Sequence, residues 1–140
     1  MKSGLAITLL VTSQLVLLSG CERHSQPTTT ERSTETFSIS VEIQFSGHAE
    51  DRTLELKIPA GTTVFGALKQ LTTEDRISAK MTGEGDYGFV SSIGGIAQER
   101  GGGSGWTFRV NDELAKVGSD QFELSDGDHV VWRYGKYKPD

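Results

Sequence analysis

A run of Gly101, Gly102, Gly103, Ser104 and Gly105 leads straight into Trp106. Glycine backbones let a ligand approach closely and expose their N–H groups to it. With an aromatic wall beside it, such a run suits a flat ligand rich in amides. Tyr87, Phe89, Ser91 and Ser92 lie just upstream, in a stretch holding nine glycines between positions 83 and 105. Aromatics in such a segment have less core to fill, and serine hydroxyls can donate to ligand amides. Each feature also has a plainer reading: a hairpin loop for the glycines, a core plug for Trp106, a turn for the serines. For Trp106 the core reading is the stronger, because Phe108 and Val110 share its face.

The same inventory speaks against catalysis. There is no G-x-x-x-x-G-K-[ST] loop, and Ser104 cannot sit in a G-x-S-x-G elbow because Trp106 stands where glycine is needed. His24, His48 and His129 have no metal-ligand spacing. Asp126 and Asp128 flank Gly127 as a turn would, without the further oxygen ligands or the distant Glu of a calcium loop. No nucleophile is nominated, so the chain reads as a non-enzyme without cofactor or metal. With 14 basic against 19 acidic residues the net charge is -5. That balance disfavours nucleic acid as a partner. One Cys in 140 residues excludes an intrachain disulfide and any multi-cysteine cluster.

That cysteine has its own chemistry. Lys2 precedes an apolar stretch from Gly4 to Leu18, which then ends Leu18-Ser19-Gly20-Cys21. A basic start, an apolar run of about 15 residues and then small residues make an export signal, too short for a spanning helix. The four-residue ending resembles the lipobox of bacterial lipoproteins. The resemblance implies that residues 1–20 are removed and that Cys21 is acylated, with palmitate-type chains holding the protein to a membrane. Glu22, rather than Asp, follows the cysteine, which points to the outer membrane or cell surface over the inner membrane. Residues 21–36 are rich in Thr, Ser and charge. They cannot bury enough surface to offset their ordering entropy, and so read as a flexible tether.

The elements that must position the chemistry lie in residues 37–140. Phe37, Ile39, Val41, Ile43 and Phe45 alternate with polar residues, as do Leu54, Leu56 and Ile58. Period two marks two half-buried strands, joined as a hairpin through residues 46–51. Thr62 or Thr63 can cap a helix in which Val64, Leu68 and Leu71 share one face, ending near Thr72. Short strands are expected at Ile77–Met81 and from Tyr87 to Ile93. Trp106–Val110 and Val130–Tyr134 form stronger strands, with a turn at Asn111-Asp112 and a short element at Phe122 and Leu124. Hairpin, crossing helix and later strands suit an α+β domain: one mixed sheet with one helix packed on one face.

This order resembles the β-grasp, or ubiquitin-like, fold. Four motifs narrow the resemblance. They are Thr63-Val64-Phe65-Gly66-Ala67-Leu68-Lys69, Gly88 to Gly95 around Ser91-Ser92-Ile93, the Gly101–Gly105 run with Trp106, Val110 and Asn111, and Asp126 to Tyr134. Together they are similar to the C-terminal β-domain of the transcobalamin and intrinsic-factor family, over about residues 37–137. The resemblance implies a domain that covers one face of cobalamin through backbone and aromatic contacts near the Gly-rich region. Two departures matter: the family's large helical domain is missing here, and its Asn-Gly turn reads Asn111-Asp112.

The expected protein is therefore a membrane-anchored lipoprotein carrying a small noncatalytic ligand-binding domain, with cobalamin or another corrinoid as the favoured ligand. The alternative is an envelope protein–protein interaction module with no small-molecule ligand, using a sheet edge or the long loop. The lipid anchor can be tested directly. Cys21→Ser should move the protein from the membrane to the soluble fraction and abolish labelling by a palmitate analogue; an unchanged distribution refutes the anchor.

Overall fold

The computed structural model describes residues 35–83 and 87–138. The export signal, Cys21 and most of the tether lie outside the described residues. Strand β1 (Thr36–Gln44) and β2 (Arg52–Pro59) pair antiparallel, with Ile39 opposite Leu56 and Phe37 opposite Ile58. The alternation in sequence becomes two faces. Ile39, Val41, Ile43, Phe45, Leu56 and Ile58 are buried, while Ser38, Glu55 and Lys57 are exposed. The connecting turn is closed by the Asp51 carboxylate, which accepts from the Phe45 N–H at 2.7 Å.

Helix α1 (Val64–Thr73) starts where expected. The Thr63 hydroxyl accepts from the Gly66 N–H at 3.1 Å, satisfying one of the donors that a helix start leaves open. Two further donors are met from a distant segment: Val64 N–H by the Phe122 carbonyl at 3.0 Å and Phe65 N–H by that of Ser119 at 2.8 Å. The expected short element at Phe122 and Leu124 is thus a single bridge, Thr63 to Glu123, that holds the helix N-terminus. Val64, Ala67, Leu68 and Leu71 are buried toward the core.

The remaining strands are β3 (Ala79–Thr82), β4 (Phe89–Ile93), β5 (Ile96–Ala97), β6 (Gly105–Val110), β7 (Glu113–Leu114) and β8 (His129–Gly135). They bear out an α+β domain with a mixed sheet and one helix, and add a second sheet that was not expected. A five-stranded sheet runs β2-β1-β8-β6-β7, and a separate three-stranded sheet runs β3-β4-β5. In the larger sheet β8 lies parallel to β1, and the other pairings are antiparallel.

The stretch that reads as a Gly-rich excursion therefore contains ordered strands. Two glycines make this arrangement work. Gly94 and Gly95, at φ 60 and 84, reverse the chain between β4 and β5. A Cβ at Gly94 would lie 2.6 Å from the Phe45 ring, so only glycine fits there. The short strands β5 and β7 went unforeseen. β7 follows directly from Asn111 and Asp112, both at positive φ, as a tight hairpin requires.

The core is one cluster spanning both sheets and the helix: it joins Ile43, Leu68, Leu71, Val90, Ile93 and Trp132. Trp132 Nε1 is buried in it without a hydrogen-bond partner among the described residues. Leu68 is fully buried and its neighbour Lys69 exposed. Leu68→Ala should lower unfolding free energy by about 2–5 kcal/mol in urea denaturation. Lys69→Ala should change it by less than about 0.5 kcal/mol. Equal effects would contradict this helix orientation.

Candidate functional site

The residues nominated from sequence fall into different environments. Tyr87 is 85% exposed and Phe89 47%. Gly88 between them is fixed: its N–H donates to Asp120 Oδ2 at 3.0 Å, and a Cβ there would press within 3.1 Å of the Phe65 ring. The aromatic pair is thus mounted beside the start of α1. The serines are less available. Ser92 is buried, and the Ser91 hydroxyl donates to the Lys80 carbonyl at 3.1 Å.

The glycine run is a loop closed by one side chain. Glu99 N–H donates to the Ser104 carbonyl at 2.7 Å, and Ser104 N–H donates back to Glu99 Oε2 at 2.9 Å. Gly101 and Gly102 have positive φ and open space where a Cβ would stand. Gly103 lies directly against the Glu99 side chain, and Gly105 pairs with Gly135 at the start of β6.

Trp106 faces inward. Its ring meets Phe45 edge-on at 5.6 Å and Tyr134 at 5.3 Å, and Nε1 donates to the Ile96 carbonyl at 2.8 Å. This satisfies the indole and ties β6 of the large sheet to β5 of the small one. Gln98 N–H donates to the Ser91 carbonyl at 2.9 Å, so the loop springs from a strand beside β4. The structure therefore brings Ser91, Ser92 and the loop base into one sheet. It shows no hydrogen bond or ring contact between Tyr87 and residues 99–106 among the described residues.

Asp126, Asp128 and His129 serve the fold. Asp126 Oδ1 accepts from Ser38 N–H at 2.7 Å, and Asp128 accepts from Ser125 N–H at 2.8 Å and from Asn111 Nδ2 at 2.9 Å. His129 Nδ1 lies 2.7 Å from the Ser40 hydroxyl, and its Nε2 lies 3.1 Å from Glu42 Oε2. These contacts stitch the β8 turn to β1.

Three hollows open on the other face of the large sheet, away from α1. One of about 410 Å3 is lined by Thr107, Arg109, Arg133 and Tyr137 among others. A second, beside β7, shares Arg109, Leu114 and Tyr137 with it, and a third includes Glu42, Thr107, Arg109 and His129. Sequence reading missed this surface because its residues are the outward members of β6 and β8, which register there only as spacers between core positions. The signal available was the recurrence of Arg in those spacer positions.

A family model described as a domain of unknown function, DUF4430, matches residues 61–136. The chain belongs to the DUF4430 family. The match takes in α1, the small sheet, and β6 through β8, and leaves out the β1–β2 hairpin. Among curated proteins nothing matches.

Two solved structures extend the comparison. The DUF4430 chain superposes on haptocorrin in complex with Cbi with a TM-score of 0.66, at 14% identity, over 75% of this chain. It spans only 26% of haptocorrin's length. A conjectured metal binding protein from Ruminococcus gnavus ATCC 29149 gives a TM-score of 0.56 at 18% identity, covering 73% of this chain and 99% of that one. At such identities the likeness is one of fold. It bears out the resemblance to the transcobalamin family drawn from the four motifs.

Trp106→Ala should destabilise the DUF4430 domain by about 3–5 kcal/mol, since it removes a core ring as well as the bond to Ile96. Trp106→Phe, which keeps most of the ring contacts, should cost distinctly less. Thermal unfolding separates the two, and a negligible loss for the alanine variant would place Trp106 outside the core.

Proposed function

We propose that this protein is a noncatalytic, lipid-anchored ligand-binding lipoprotein of the outer membrane or cell surface. Residues 1–20 act as the signal, 21–36 as lipidated cysteine and tether, and 37–140 as a domain of the β-grasp type. Several features support the β-grasp assignment: the opening hairpin, the helix that crosses one face, and the final strand inserted parallel beside the first. The favoured ligand is cobalamin or another corrinoid. The observation that carries this choice is the fold shared with haptocorrin, which was solved with Cbi bound. The ligand would rest on the surface around Tyr87, Phe89 and the Gly101–Gly102 tip, whose exposed rings and open backbone suit noncovalent stacking. This domain offers one wall, so affinity is modest or is raised by whatever supplies the other.

A second reading, an envelope protein–protein module, is favoured by the same two exposed aromatics. Exposed rings suit a protein surface as well as a flat ligand.

Titration of the full chain with cobalamin, followed by corrinoid absorbance and equilibrium dialysis, distinguishes the two. Saturable one-to-one binding, weakened about tenfold by Tyr87→Ala with Phe89→Ala, is expected for the corrinoid reading. No binding at about 100 μM cobalamin would reject the domain as a self-sufficient corrinoid site and favour the protein partner.

A further inference from the structure

One hollow on the face of the large sheet turned away from α1 is basic in an acidic chain, although Glu42, Asp112 and Glu113 line the hollows beside it. The hollow of about 410 Å3 there is lined by Arg109, Arg133, Lys136 and Lys138, with no carboxylate among its lining residues. The chain overall has 19 acidic against 14 basic residues.

The sheet register explains how these cations meet. Arg109 stands opposite Val131 and Thr107 opposite Arg133, so the two arginines are diagonal neighbours on one face. Diagonal neighbours are about 7–8 Å apart, close enough for long side chains to converge and for like charges to repel. Lys136 and Lys138 follow as β8 ends, both exposed. The side chains of Arg133, Lys136 and Lys138 make no ion pair or hydrogen bond among the described residues. Gly135 points to the same side, and a Cβ there would meet nothing within 4 Å, so the hollow stays open between Arg133 and Lys136. Tyr137, 63% exposed, adds an aromatic rim.

We infer that this hollow binds a small organic polyanion, a molecule with two or more carboxylate or phosphate groups. Arg109 already donates to the Asp112 carbonyl at 3.2 Å. Arginine's planar fork matches both kinds of oxyanion, and Arg133, Lys136 and Lys138 around one space need more than a single negative charge to offset them. The volume falls in the roughly 300–1,000 Å3 range of small-molecule sites. The tyrosine rim suits an organic body better than a bare ion. The site is independent of the corrinoid proposal, which concerns a different set of residues.

The test is calorimetric titration of the full chain with inorganic pyrophosphate and, separately, with citrate, at constant ionic strength. Saturable one-to-one binding of at least one probe is expected, weakened about tenfold or more by Arg133→Gln with Lys136→Gln. Binding of pyrophosphate alone assigns a phosphorylated ligand, binding of citrate alone a polycarboxylate, and binding of both the oxyanion chemistry that they share. The inference is overturned if neither probe saturates below about 10 mM, or if the double variant binds like the wild type. Should circular dichroism show that variant unfolded, Lys136→Glu with Lys138→Glu, on the exposed segment after β8, carries the same expectation.

Discussion

The parallel pairing of β1 with β8 is the constraint on which the rest of the structure depends. It sets Val41 beside Val130 and Ile43 beside Trp132, so the centre of the large sheet is made by the first and last strands of the domain. Parallel neighbours need a crossover, and everything between them supplies it. Helix α1 covers the inner face that this pairing creates. β6 then adds to the free side of β8, bringing Phe108 against the Trp132 ring at 5.4 Å. The turn at Asp126 to Asp128 fixes the register from the outside through Ser38, Ser125 and Asn111.

Joining the small sheet to this frame falls to a few polar bonds set among rings. Trp106 Nε1 reaches the Ile96 carbonyl, and the Tyr134 hydroxyl reaches that of Ala97 at 3.0 Å. Both acceptors lie on β5, a strand of two residues. Backbone carbonyls on so short a strand need donors from elsewhere, and the two aromatics provide them while packing between the sheets. Trp106, which looks like a ligand-stacking wall, thus helps hold the platform together. Chemistry open to solvent is left to Tyr87, Phe89, the loop tip and the basic hollow.

The sequence was most legible where burial is one-sided. The alternation in Phe37–Phe45, Trp106–Val110 and Val130–Tyr134, and the 64, 68, 71 spacing of the helix, arise because one face of each element must leave water. Asn111-Asp112 was readable as a turn because few residues tolerate positive φ. The division into two sheets was not readable. It depends on the reversal at Gly94-Gly95 beneath the Phe45 ring, and on a shift of register between Lys80 and Met81. Neither leaves a periodic trace. The basic hollow was hidden for a related reason: Arg109 and Arg133 are 24 positions apart in the chain and become neighbours only through the β6–β8 pairing.

Placing the last strand at the centre of the sheet also orders events during synthesis. Ser40 and His129, joined by a side-chain hydrogen bond, are 89 residues apart in sequence. The β1–β2 hairpin can form early, but its apolar face has no central neighbour until β8 has been made. Contacts this distant in sequence make folding slow, because loop closure must precede the reward of packing. The nascent domain is therefore obliged to stay open until almost all of it exists, and its final assembly is a single late event.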